Sequence, residues 1–99
     1  MKTTKGEGNV FSDLGFSLAE ARNLRMRSQL MTALRKFVGK EGLTQAEAAR
    51  RLKVTQPRIS DLMRGKISRF SLDALVTMSS DAGLEVDLRI STGTSKRVA

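Results

Sequence analysis

Several residue types are missing or scarce in this 99-residue chain. It has no cysteine, histidine, tryptophan or tyrosine, and a single proline. Without cysteine there is no disulfide and no thiolate metal site. With histidine also absent, most zinc sites and most nucleophile–base catalytic pairs are excluded. The carboxylates are scattered and no glycine-rich phosphate loop occurs, so the chain reads as a non-enzyme with no cofactor and no metal. No run approaches the roughly 18 apolar residues of a membrane span. Residues 1–16 lack the apolar core of a signal peptide, so the expected location is cytoplasmic and soluble. The aromatic residues are Phe11, Phe16, Phe37 and Phe70. Some of them must serve the core, which leaves few for the base stacking that single-strand binders use.

What is abundant is positive charge, at a net +8. Its placement matters more than its sum. Arg22 to Arg69 holds 13 basic and 3 acidic residues, whereas Ser71 to Ile90 holds 1 basic and 4 acidic. A polyanion would gain affinity from the first stretch by counterion release. The alternative is a generally basic, solvated surface. An anionic membrane fits less well, because no long basic helix carries an exposed aromatic face. The length suits one small domain with a limited core, which dimerisation would help to stabilise.

The stretch from Thr44 to Arg64, TQAEAARRLKVTQPRISDLMR, holds the densest local signal. Thr44 with Glu47 forms a capping box, which starts a helix over Gln45 to about Leu52. Ala46, Ala49 and Leu52 fall near one face, small enough for a second helix to approach. Thr55 is the next N-cap, and Pro57 sits in a first turn, where its missing N–H costs little. The second helix starts at Gln56 or Pro57. Ile59, Leu62 and Met63 form its buried face, and Gly65 is placed to end it. Gln56, Arg58, Ser60, Asp61 and Arg64 are left for solvent or ligand. Two short helices joined by a tight turn have the form of a helix-turn-helix, which sets the leading end of its second helix against base edges. Gln bonds bidentately to adenine and Arg to guanine. The alternative is an ordinary helical hairpin.

The run resembles the helix-turn-helix of the Xre/Cro/phage-repressor family at Gln45, Ala49, Leu52, Val54, Thr55, Gln56, Ile59, Ser60 and Leu62. It is closer to small bacterial Xre proteins of the HigA-like antitoxin branch, often encoded beside RelE/HigB-like toxins. The shared wording is NVFSDLGF, EAxxLxxRSxLM, GLTQAEAA, VTQPRISDLxxGK and FSLDALVxM, spanning roughly Asn9 to Val86. The resemblance implies base contacts by Gln56, Pro57, Arg58, Ser60 and Asp61, with Gln45 on the DNA backbone. Thr55, Arg64, Lys66, Ser68 and Arg69 complete the expected phosphate contacts; for the loop residues among them, plain solvated charge is the alternative. One departure is Lys53, where the family usually has glycine because the turn wants a positive φ.

The rest of the chain is organised around this motif. Residues 1–9 read as a disordered tail and 91–99 as a flexible one. Val10, Phe11, Leu14 and Phe16 are apolar enough to pack. Ser17 and Glu20 form a second capping box, opening a helix to about Gly39 with a stripe of Leu24, Met31, Leu34 and Val38, flanked by Leu30 and Phe37. Gly65 to Arg69 reads as a loop. Ser71 caps a helix from Leu72 to about Ala82, with Leu75, Val76 and Met78 as candidate core, and Gly83 ends it. Leu84, Val86, Leu88 and Ile90 then alternate with Glu85, Asp87 and Arg89, the pattern of a half-buried strand. A lone strand needs a partner: its own copy across a two-fold axis, the sheet edge of another protein, or residues 10–11 of the same chain. Self-pairing is ranked first, which makes these four residues the expected dimerisation contacts.

The expected fold is thus mainly all-α. It is a bundle of about four to five helices over residues 10–90, with a lambda-repressor-like helix-turn-helix and a C-terminal β-strand. The first functional expectation is a homodimeric, nucleoid-associated repressor. It would read a palindromic double-stranded DNA operator through the helix at 56–64. The second, implied by the resemblance, is an antitoxin that neutralises a RelE/HigB-like RNase toxin and represses its own operon.

Overall fold

A hydroxyl residue begins each helix in the computed structural model, which describes residues 17–92. Ser17, Thr44, Thr55 and Ser71 all have extended backbone, and each side chain accepts a hydrogen bond from the N–H three residues on, at Glu20, Glu47, Arg58 and Ala74. Each bond satisfies one of the N–H groups that a helix start leaves without a partner. Among the described residues the elements are α1 (Leu18–Lys40), α2 (Gln45–Leu52), α3 (Gln56–Met63), a 3-10 turn (Ile67–Arg69) and α4 (Leu72–Asp81). Both expected capping boxes form. The Glu20 and Glu47 carboxylates accept from the Ser17 and Thr44 N–H groups at 2.8 Å. The Thr44 backbone and hydroxyl bonds favour the charged carboxylate and hold Glu47 below the usual glutamate range.

The core gathers one face from every helix. Met31, Leu34 and Val38 of α1 meet Ala48, Ala49 and Leu52 of α2, Ile59 and Leu62 of α3, and Leu75 and Met78 of α4. Phe70, just before α4, is fully buried among them. α1 packs against α4, and α2 against α3. Small alanines on α2 permit that second approach, but the inward pair is Ala48 and Ala49, whereas Ala46 faces solvent. Similarly, Val76 is exposed, and the buried face of α4 includes Ser79, whose hydroxyl donates to the Leu75 carbonyl at 2.8 Å. Met63 and Leu24 are only half-buried.

The turn between α2 and α3 closes through Lys53, at φ 57° and ψ 44°. Lys53 and Val54 donate N–H bonds to the last carbonyls of α2, including that of Ala49. Its left-handed backbone costs an L-residue about 1–2 kcal/mol that glycine avoids. The side-chain ion pair with Asp81 at 3.8 Å is largely solvated and offsets little of this. Lys53→Gly is therefore expected to stabilise the domain by up to about 1 kcal/mol, after the added freedom of the unfolded chain is subtracted. A urea titration checks it; a loss of stability would mean that the Lys53 side chain outweighs its backbone.

The expected C-terminal strand does not form. Residues 84–92 have no regular structure. Leu84 packs on the core edge, but Leu88 is 78 % and Ile90 82 % exposed, so the alternation faces no buried layer. The physical reason is pairing: no strand lies among the described residues to take up the N–H and C=O groups of a second one. The fold is all-helical over the described residues. The tail at 1–9, the packing segment at 10–16 and the tail beyond Thr92 lie outside the described residues.

Candidate nucleic-acid interface

The leading end of α3 is where the motif's chemistry collects. Thr55 caps it through Arg58 N–H at 3.4 Å, and Pro57 occupies its first turn. Gln56 and Pro57 are exposed; Ser60 is half-buried on the flank of the helix, and Arg64 is exposed at its end. Gln45 is exposed at the first position of α2. Ile59 and Leu62, both fully buried, anchor the opposite side, so the orientation of the outward face is fixed by the core.

Arg58 does not stand free. Its guanidinium lies 4.2 Å from the centre of the Phe70 ring, and Nη1 donates to the Arg69 carbonyl at 2.7 Å. Stacking over an aromatic face attracts a cation through the ring quadrupole. Arg58 thus ties the front of α3 to the segment that follows it.

A second arginine holds that segment from behind. Arg27 of α1 donates Nε to Asn23 Oδ1 at 2.7 Å and Nη1 to the carbonyls of Ile67 at 3.0 Å and Phe70 at 3.3 Å. Sequence reading missed Arg27 and Phe70 as supports of the interface. The i, i+4 spacing of Asn23 and Arg27 is a local hint, but nothing local points to carbonyls 40 and 43 residues away.

The cations at the end of α3 converge on one carboxylate. Asp61 lies 3.9 Å from Lys66 Nζ and 3.7 Å from Arg69 Nη1. The expected loop at 65–69 therefore contains a short 3-10 turn whose backbone is held by Arg27 and Arg58 and whose basic side chains share Asp61. Ser68 sits exposed on this turn. No group of His, Cys, Asp or Glu able to hold a metal occurs among the described residues, and no described helix is long and apolar enough to cross a membrane.

This arrangement has counterparts. The family pattern described as a helix-turn-helix domain matches residues 10–91. A solved chain provisionally described as an XRE-family transcriptional regulator is 30 % identical, with a TM-score of 0.72 over 80 % of this chain and 89 % of that one. No curated protein matches. With two capped helices around a left-handed turn, and a match over most of its length, the chain belongs to the helix-turn-helix domain family.

Proposed function

We propose that the protein is a DNA-binding transcriptional regulator that reads double-stranded DNA through the major groove with α3. One observation carries this reading. A short, separately capped helix is clamped by its apolar side against α2, its leading end at Gln56 and Pro57 is exposed, and Arg64, Lys66 and Arg69 stand at its far end and in the turn that follows. Gln56, Pro57, Ser60 and Asp61 face base edges in this reading. Gln45, Thr55, Arg64, Lys66, Ser68 and Arg69 meet phosphates and set the register without reading sequence. The 30 % identical solved relative supports the regulator class.

A base contact by Arg58 competes with its stack on Phe70 and its bond to the Arg69 carbonyl. A bidentate guanine contact contributes about 1–3 kcal/mol of discrimination. The stack it gives up contributes about 0.5–2 kcal/mol. The net gain is small, so Arg58→Ala should weaken the preferred site a few-fold more than random duplex, measured by fluorescence anisotropy. Equal loss at both would assign Arg58 wholly to supporting the loop.

The regulator acts as a homodimeric repressor in this proposal. Two copies of α3 then enter successive major grooves ~34 Å apart on a palindromic operator. A second copy has an apolar surface to cover: Leu84, Val86, Leu88 and Ile90, beside a groove lined by Met26, Leu30, Leu72 and Val76. The same exposed surface favours a second reading, in which a RelE/HigB-like toxin is the protein partner and the chain is an antitoxin. Co-expression with the neighbouring open reading frame, followed by pull-down and growth measurement, separates the two: capture of a partner and rescue of growth support the second, and neither leaves plain regulation. Selection of bound duplexes from a random library tests the central function. A palindrome with fixed half-site spacing is expected; enrichment of no sequence would refute it.

A further inference from the structure

Asp61 is the one acidic residue of α3, half-buried at the flank of the surface proposed to meet a polyanion. A carboxylate there costs affinity for every DNA sequence unless its charge is used. Its neighbours indicate the use. Both oxygens face a cation, Oδ1 toward Lys66 at 3.9 Å and Oδ2 toward Arg69 at 3.7 Å. These are the two basic residues of the turn that follows α3, and both are exposed enough to exchange partners.

The distances decide how firmly the cations are held. Charge-assisted hydrogen bonds close to about 2.7–2.9 Å. The two pairs here are about 1 Å longer, and although Asp61 is half-buried both cations are solvated, so each pair holds its cation loosely. The backbone beneath them is fixed separately. Lys66 N–H donates to the Asp61 carbonyl at 3.0 Å, Arg58 holds the Arg69 carbonyl, and Arg27 holds those of Ile67 and Phe70. Only the side chains need move when a phosphate arrives.

We propose that Asp61 is an internal stand-in for a DNA phosphate that sets specificity: it retains Lys66 and Arg69 until its own carboxylate finds a donor. In the major groove the donors are the exocyclic amino groups of cytosine and adenine; the other major-groove polar atoms, guanine N7 and O6, adenine N7 and thymine O4, accept. At a matching base pair the carboxylate accepts an amino hydrogen, and both cations turn to phosphates. Every base pair carries one such amino group, so where the wrong base faces Asp61 the amino group lies on the opposite strand; the carboxylate there meets acceptors, keeps its cations, and withholds two phosphate contacts. Discrimination then comes from a penalty at wrong sites as well as from a contact at the right one.

This inference rests on the reading of α3 as a major-groove helix, and the test separates the two. Full-length wild-type and Asp61→Asn proteins are titrated with a duplex enriched from the random library and with scrambled duplex of equal length, across a range of salt. Asp61→Asn should tighten scrambled binding by about three- to tenfold and steepen its log–log salt slope by about 1–2, as two more cations displace counterions. It should gain much less on the enriched duplex, so discrimination falls about tenfold. Unchanged or weakened scrambled binding overturns the role of Asp61 while leaving major-groove reading intact. A wild type that binds no duplex at low salt overturns both. Arg69→Gln gives an independent reading that does not depend on Asp61→Asn folding. It should weaken the enriched duplex several-fold more than the scrambled one, whereas an ordinary phosphate contact would weaken both alike and contradict the proposal.

Discussion

Phe70→Ala should lower the unfolding free energy by about 3–5 kcal/mol, the usual cost of emptying a buried phenylalanine site. Small domains hold only about 5–15 kcal/mol in total, so the variant would keep a thin margin or none. The size of the effect follows from position. The ring is fully buried with Leu34, Leu52, Ile59, Leu62 and Leu75, close to the point where the four described α-helices meet. Its second face carries the Arg58 guanidinium, so the same residue supports the core and the interface. Phe70→Leu distinguishes these roles. It retains most of the apolar volume but removes the aromatic face, which costs Arg58 about 0.5–2 kcal/mol of stacking. Urea unfolding should place the leucine variant well above the alanine one. Equal stability of the two would mean that the ring's burial contributes nothing beyond its stack with Arg58.

Gln56→Ala should cost about 1–3 kcal/mol of sequence discrimination, roughly five- to 150-fold in the ratio of selected to random binding. Gln56 is the first residue of α3, exposed, and made to point outward by a capped start and a buried Ile59. It makes no structural contribution that would obscure the result, so stability should stay within about 0.5 kcal/mol of wild type. Arg64→Ala is the contrasting variant. As an exposed cation at the end of the helix, it should weaken both kinds of duplex together and flatten the salt dependence by about 1. If Gln56→Ala behaved as Arg64→Ala is expected to, the amide would be a backbone contact and base reading would move to Pro57, Ser60 and Asp61.

What could be read in the chain without its structure was what four or five consecutive residues decide. The caps at Ser17, Thr44, Thr55 and Ser71 are bonds across three residues, and all four form where the pattern placed them. So are the bounds of α2 and α3, and the left-handed backbone at Lys53 that stands where glycine is usual. Faces were harder. Ala46 and Ala48 both keep helical spacing with neighbouring apolar residues, and only the position of α3 makes Ala48 the inward one. The alternation at 84–90 states which residues would share a side of an extended chain. It carries no information on whether a second strand exists to pair with, and among the described residues none does. In the candidate interface, the exposed residues of α3 were legible from their complement, the buried Ile59 and Leu62. Their partners were not. Arg58 reaches a carbonyl 11 residues away and Arg27 one 43 residues away, contacts that exist only once the helices have packed.

In the proposed complex the leading edge of α3 meets base edges in the major groove. Methylation interference on a selected duplex tests it most directly, because guanine N7 lies in the major groove and adenine N3 in the minor. N7 methylation within each half-site should block binding, at two clusters one helical turn apart, and N3 methylation there should not. Interference confined to adenine N3, or none at any base, would contradict it.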